Sequence, residues 1–150
     1  ERRTKMKEQV LTVNNIVLGA DYPDRWEAIR ACGEILFQQG YIRGEYIDDM
    51  MERERLFGVY MGNGIAIPHG VEGSERNILH SGISVLQLKR GVDFGTGTAY
   101  LLFGIAGKDG EHIELLSRIA QVCMETEKVE RMRITEDKEE MLQILNSVPI

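Results

Sequence analysis

Three histidines are the side chains best suited to chemistry at neutral pH, and two of them stand in unusual company. His69 closes the run Gly62-Asn63-Gly64-Ile65-Ala66-Ile67-Pro68-His69-Gly70. Pro68 fixes its own φ and lacks a backbone donor, it pushes Ile67 towards extended geometry, and Gly70 lets a bulky partner approach the backbone. An imidazole held in this way is stiffly presented at a strand end. A neutral ring has one lone pair for attack and a second nitrogen to be oriented by a hydrogen bond, so His69 suits nucleophilic work. The tripeptide is equally compatible with a turn histidine that has no task. His112 falls in the first turn of a helix introduced by Asp109 or Gly110, and the spacing 112, 116, 119, 123 puts it on one stripe with Leu116, Ile119 and Cys123, facing a sheet. A helix N-terminus disfavours imidazolium and favours an anion, so a neutral His112 could donate a hydrogen bond to a phosphoryl oxygen. The alternative is a satisfied, half-buried core histidine.

Other chemistries find less support. The histidines are scattered, without His-x-x-x-His spacing or a cysteine pair, so no metal site and no cofactor is expected. His80 precedes a strand and reads as solvated. Gly62-x-Gly64 and Gly95-x-Gly97 do not continue into a phosphate loop and read as turns, and a Gly-x-Ser-x-Gly nucleophile elbow is absent. The acidic run Glu136-Asp137-Lys138-Glu139-Glu140 reads as a charged helix start with a solvated face.

The elements that must position these residues can be placed coarsely. Leu11 to Leu18 reads as a strand or the approach to one, ending at Gly19. Helices are expected from Asp24 to Gly40 and from about Gly44 to Leu56, the second with Tyr46, Ile47, Met50 and Met51 on one face. Strands are expected at Gly64 to Ile67, Ser81 to Leu88 and Thr98 to Ala106; the last is almost wholly apolar and wants cover on both faces. A helix over Glu111 to Thr126, a short turn of helix over Lys128 to Arg133 and an amphipathic helix over Asp137 to Leu145 complete the chain. Helices on either side of the strands imply an α+β fold, a three-layer α/β/α sandwich with a mixed β-sheet flanked by helices on both faces.

Composition bounds the setting. With 150 residues, 43% of them hydrophobic, residues 1–150 are expected to form one domain that buries about 68–70% of its unfolded surface. No apolar run approaches the roughly 18 residues of a spanning helix, and the opening residues lead into no signal-peptide core. The chain starts at Glu1, as a trimmed chain or a domain cut from a longer one would. A net charge of −6, with basic residues interleaved among more numerous acids, argues against nucleic acid as a partner. Cys32 and Cys123 lie in apolar periodic stretches, which predicts buried free thiols and a cytoplasmic location.

Three separated segments carry a family resemblance: Met51-Glu52-Arg53-Glu54-Arg55-Leu56, Tyr60-Met61 through the run ending at Gly70, and Gly104-Ile105-Ala106 through Glu111-His112-Ile113. In that order they resemble the enzyme IIA component of the bacterial phosphoenolpyruvate-dependent sugar phosphotransferase system, fructose–mannitol class, and most closely its mannitol branch. The resemblance runs from Leu11 to Leu145. It implies that His69 accepts a phosphoryl group from phospho-HPr and passes it to a cysteine of the IIB component, with the membrane IIC component served indirectly and mannitol as the sugar alcohol. It implies that His112 supports the phosphoryl group without being phosphorylated, and that Arg53 is the active-site arginine. Because Arg55 stands where lysine is common, the residues themselves leave Arg53 and Arg55 open. Asn63 occupies a variable position, to which the resemblance lends only a weak binding role.

Phosphoryl transfer between side chains asks for in-line geometry and stabilised equatorial oxygens, which a fixed histidine, a second histidine and a forked guanidinium can supply without metal. The site is expected to be an open depression with an apolar rim in which Met61, Ile65 or Phe57 meets HPr and IIB transiently. Two other readings remain: a IIA-like regulatory domain of a transcription regulator, controlled by phosphorylation of the same histidine, and an interaction domain without chemistry.

Overall fold

The computed structural model describes residues 10–147. A 3-10 turn, Val13–Asn15, leads into β1, Ile16–Ala20. Two helices follow, α1, Arg25–Gln38, and α2, Glu45–Leu56, and then a hairpin of β2, Tyr60–Gly62, and β3, Ile65–Ala66. After a second 3-10 turn, Ser74–Asn77, come the long strands β4, Gly82–Asp93, and β5, Thr98–Ala106. Helices α3, Glu111–Cys123, α4, Thr126–Ile134, and α5, Lys138–Leu145, close the described chain.

The five strands form one sheet in the order β1-β4-β5-β3-β2. It is mixed: β1 with β4 and β3 with β5 are parallel, while β4 with β5 and β2 with β3 are antiparallel. Alternation along β5 explains its unbroken apolar character. Leu102 and Ala106 face a core built from Ala28, Ile29, Cys32 and Leu36 of α1 and Tyr46, Ile47 and Met50 of α2. Leu101, Phe103 and Ile105 face the opposite core, with Leu115, Ile119 and Val122 of α3 and residues of α4 and α5. The expected three-layer sandwich is therefore present, with both faces of the central strands removed from water.

Several expectations about elements need correction. The first strand starts later than Leu11, because Thr12 caps the 3-10 turn by accepting from Asn14 N–H and the buried Asn15 amide donates to Val10 O, Ile83 O and the Tyr41 hydroxyl. These local bonds compete with a ladder. β4 runs past Leu88 to Asp93 because β5 continues to pair with it there. The Lys128 to Arg133 turn is a full helix, α4, and α3 ends at Cys123 instead of Thr126. Sequence reasoning missed β2. Its signal was Asn63-Gly64, whose φ values of 54° and 79° are those of a two-residue primed turn, the commonest hairpin connection.

Two burial assignments also change. Along α3 the buried apolar stripe is Leu115, Ile119 and Val122; Leu116 and Cys123 are half-buried at its margin, so Cys32 is a buried thiol and Cys123 is not fully one. Ile65 is only 2% exposed and belongs to the core, which removes it from any rim, whereas Phe57 and Met61 are 71% and 60% exposed. The acidic run behaves as expected: Asp137 caps α5 by accepting from Glu139 N–H, and Glu140 pairs with Arg131.

Candidate active site

His69 follows β3 on a segment tied to the sheet at successive residues. Ile67 N–H donates to Val59 O at 2.9 Å and Ile105 N–H donates to Pro68 O at 2.9 Å, so the chain remains bound to β5 although proline offers no donor. Gly70 N–H donates to the hydroxyl of Tyr46 at 2.8 Å. A Cβ at Gly70 would lie 2.5 Å from a ring carbon of Tyr46 and 2.3 Å from Ser74 Oγ, so the bulky group that this glycine admits is a side chain of α2.

The imidazole is oriented by its own neighbour. Nδ1 lies 2.7 Å from Ile67 O, and since a carbonyl only accepts, Nδ1 carries the proton and Nε2 carries the lone pair. Burial lowers the titration of His69 to about 4; the Ile67 bond opposes this, and the positive Arg53 and nearby His112 add to it. At neutral pH the ring is therefore uncharged and nucleophilic at Nε2.

His112 stands at the start of α3, with its ring centroid 5.2 Å from that of His69 and the planes at 51°. Burial and Arg53 lower its titration as well, so it is a neutral donor or acceptor at this helix N-terminus. The helix can approach because Gly107 has no side chain: a Cβ there would lie 2.3 Å from His112 Cα. The connecting loop is held by Asp109 N–H to Glu75 at 2.7 Å, Lys108 N–H to Ser81 Oγ at 2.8 Å, and a Ser81 hydroxyl bond to Glu111.

The structure separates the two arginines. Arg53, in the last turn of α2, lies over the Phe57 ring at 4.9 Å; its buried Nε has no hydrogen-bond partner, and among the described residues it has no ion pair. Arg55 is exposed and bound to Glu52 by Nε at 3.0 Å. Arg53, His69 and His112 line one open depression of about 350 Å³, together with Tyr46 and the turn after Gly70. Its lining offers two neutral imidazoles and the Arg53 guanidinium, donors suited to an anion with several oxygens, with Glu72 and Glu75 also on its wall.

The remaining candidates lie elsewhere. Asn63 is in the β2–β3 turn and lines a smaller hollow with Met61 and Met124. His80 is exposed and borders a larger hollow of about 580 Å³ with Tyr41, Ser81 and Lys108, which contains neither His69 nor Arg53. No group of three metal-ligating side chains occurs among the described residues. Tyr46 was legible in the sequence only as a core residue, because nothing in the spacing shows that its hydroxyl reaches the strand carrying His69.

The family described as phosphoenolpyruvate-dependent sugar phosphotransferase system, EIIA 2, matches residues 9–148. The mannitol-specific phosphotransferase enzyme IIA component of Geobacillus stearothermophilus is 52% identical over 144 residues, covering 95% of this chain and 99% of that protein. The protein of the same name from Bacillus subtilis (strain 168) is 45% identical over 141 residues, covering 93% and 99%. Among solved structures, the complex of enzyme IIAMTL and phosphorylated enzyme IIBMTL from Escherichia coli superposes with a TM-score of 0.86 at 32% identity, covering 92% of this chain and 98% of that one. Two histidines and a free guanidinium on an α/β sandwich thus meet a family match spanning nearly all of the sequence: the chain belongs to the enzyme IIA type 2 family of the phosphoenolpyruvate-dependent sugar phosphotransferase system.

Proposed function

We propose that His69 is the phosphoryl acceptor of a mannitol-type enzyme IIA, that it takes the group from phospho-HPr and that it gives it to a cysteine of a IIB component. The observation that carries the reading is the Nδ1–H···O bond to Ile67, which leaves a neutral Nε2 lone pair in a depression with an unpaired Arg53. In the first step the Nε2 lone pair attacks phosphorus, a P–Nε2 bond forms, and the P–N bond to the HPr histidine breaks. The phosphorylated ring, still protonated at Nδ1, is cationic and therefore a good leaving group; Ile67 O steadies that proton. In the second step a IIB thiolate attacks phosphorus and His69 leaves with its electron pair.

Arg53 and His112 hold the equatorial oxygens, where charge is greatest in the transition state. Arg53 suits this role because its fork has no carboxylate to leave. Exposed Phe57, Met61, Ile113 and Met124 support transient docking of two successive partners. IIC is served through IIB, and mannitol is the sugar alcohol, a reading supported by the mannitol-specific names of the Geobacillus stearothermophilus and Bacillus subtilis relatives. The chain acts as one domain, in the cytoplasm; no described helix is long and apolar enough to cross a membrane.

Wild type and His69→Ala incubated with phosphoenolpyruvate, enzyme I and HPr should differ by one acid-labile phosphoryl group, read by intact mass, and the wild type should then discharge to IIB. An unlabelled wild type beside an active donor mixture would end the reading. Labelling without discharge to IIB would favour a regulatory domain.

A further inference from the structure

The last rung between the His69 segment and β5 is occupied by a side chain. When two residues pair in parallel, the N–H and C=O of one bond to the residues flanking the other. For Ile105, which pairs with His69, these are the carbonyl of Pro68 and the N–H of Gly70. The first bond is present at 2.9 Å. In place of the second, the hydroxyl of Tyr46 accepts from Gly70 N–H at 2.8 Å and donates to Ile105 O at 2.8 Å. One hydroxyl proton and one accepting lone pair are thereby both used. The tyrosine is 2% exposed and protonated at neutral pH, since burial pushes it up to about 12 against the opposing Gly70 bond.

His69 is thus gripped from both sides in sequence: Ile67 by Val59, Pro68 by Ile105, and Gly70 by Tyr46. Tyr46 and Arg53 are seven residues apart on α2, two turns along one face. We propose that Tyr46 is a positioning residue for phosphoryl transfer: its hydroxyl, inserted into the Gly70–Ile105 rung, sets the backbone at His69 so that Nε2 is aimed at the oxygen-binding groups Arg53 and His112. The inference rests on the reading of His69 as acceptor. One helix then fixes both the nucleophile and the guanidinium, and their relative placement does not depend on how the later helices pack.

The test is Tyr46→Phe, which keeps the ring and removes the hydroxyl. Initial rates of phosphorylation are measured at varied phospho-HPr for wild type and variant, and ring 15N spectra of His69 are recorded without donor. The expected result is a kcat lowered by about ten- to a hundredfold with KM unchanged, because a misaimed nucleophile costs rate and not docking. The spectra should show one Nδ1-protonated tautomer in wild type and a tautomer mixture in the variant. A folded Tyr46→Phe with wild-type kcat, or with a change confined to KM, overturns the proposal. If wild type itself is not labelled, the acceptor reading has failed, and the donor-free spectra still decide whether Tyr46 orients the ring. Should Tyr46→Phe not fold, the Tyr46 hydroxyl proton is followed in the native chain: a slowly exchanging resonance that shifts on phosphorylation of His69 supports the role, and its absence or indifference overturns it.

Discussion

At the scale of single residues, the proposed phosphoryl transfer depends on which nitrogen of one ring is free and on its charge. His69 is neutral because burial disfavours its charged form, and its folded-state titration, at about 4, lies below the ordinary 6.5. Phosphoryl acceptance should consequently be flat from neutral pH down to about pH 5 and fall as Nε2 takes a proton near pH 4, in a pH–rate profile corrected for the donor. The same shift has a stability consequence. The unfolded chain binds this proton first, so the contribution is fully present above pH 6.5 and is lost as pH falls through the window down to 4. The stability advantage of wild type over His69→Gln, from denaturant titrations, should shrink by up to about 3 kcal/mol between pH 7 and pH 4. An advantage that stays constant across this window would contradict the burial of a neutral ring. His69 and His112, which line one depression, were both candidates in the sequence, through Pro68 and Gly70 for one and helix phase for the other. Arg53 and Arg55 were not separable there, because two residues on a helix differ by nearly half a turn and only packing decides which side meets the site.

At the scale of elements, the site is a meeting of three ends: the segment after β3, the last turn of α2 and the first turn of α3. Each element would form by its own pattern, yet their convergence depends on close approach. Gly107 is the clearest case, since a side chain there would collide with the backbone of His112. Gly107→Ala should force the start of α3 outward, costing about 1–3 kcal/mol in denaturant unfolding. Its transfer to IIB should then fall well below that of wild type, because His112 is carried away from the phosphoryl oxygens, while acceptance at His69 survives. Transfer at the wild-type rate from a folded Gly107→Ala would show that the placement of α3 is not needed. The hairpin β2–β3 belongs at this scale too. Asn63-Gly64 announced the turn, but a three-residue strand beside a two-residue one lies below the length at which alternation can be read.

At the scale of the molecule, two cores clamp a mixed sheet, and polar side chains lock the layers where the ladder ends. Gln87 of β4 is 6% exposed; its amide donates to Met132 O at 2.8 Å and to Thr135 O at 2.9 Å and accepts from Gly19 N–H at 3.0 Å. It joins the end of α4 to the edge strand β1. Gln87→Ala strands these backbone groups, so it should lower stability by about 1–3 kcal/mol with an unchanged denaturant m-value. Phosphoryl acceptance should persist, since Gln87 does not line the depression. Loss of acceptance in a folded Gln87→Ala would mean that the far edge of the sheet is coupled to the site.

By itself, the sequence determined the types of most helices and strands, with β2 and the 3-10 turn before β1 as exceptions, the sandwich that an unbroken apolar β5 requires, and the two histidines whose neighbours constrain them. These are local facts, written in periodicity, caps and the steric effects of proline and glycine. The tertiary structure alone decided that Arg53 and not Arg55 enters the depression, that Ile65 is core, that Leu115, Ile119 and Val122 form the buried face of α3, and that the Tyr46 hydroxyl stands in the final rung at His69. The physical reason is that these outcomes depend on contacts between segments far apart in the chain, where a rotation of one helix by a fraction of a turn exchanges which side chain is buried and which is free.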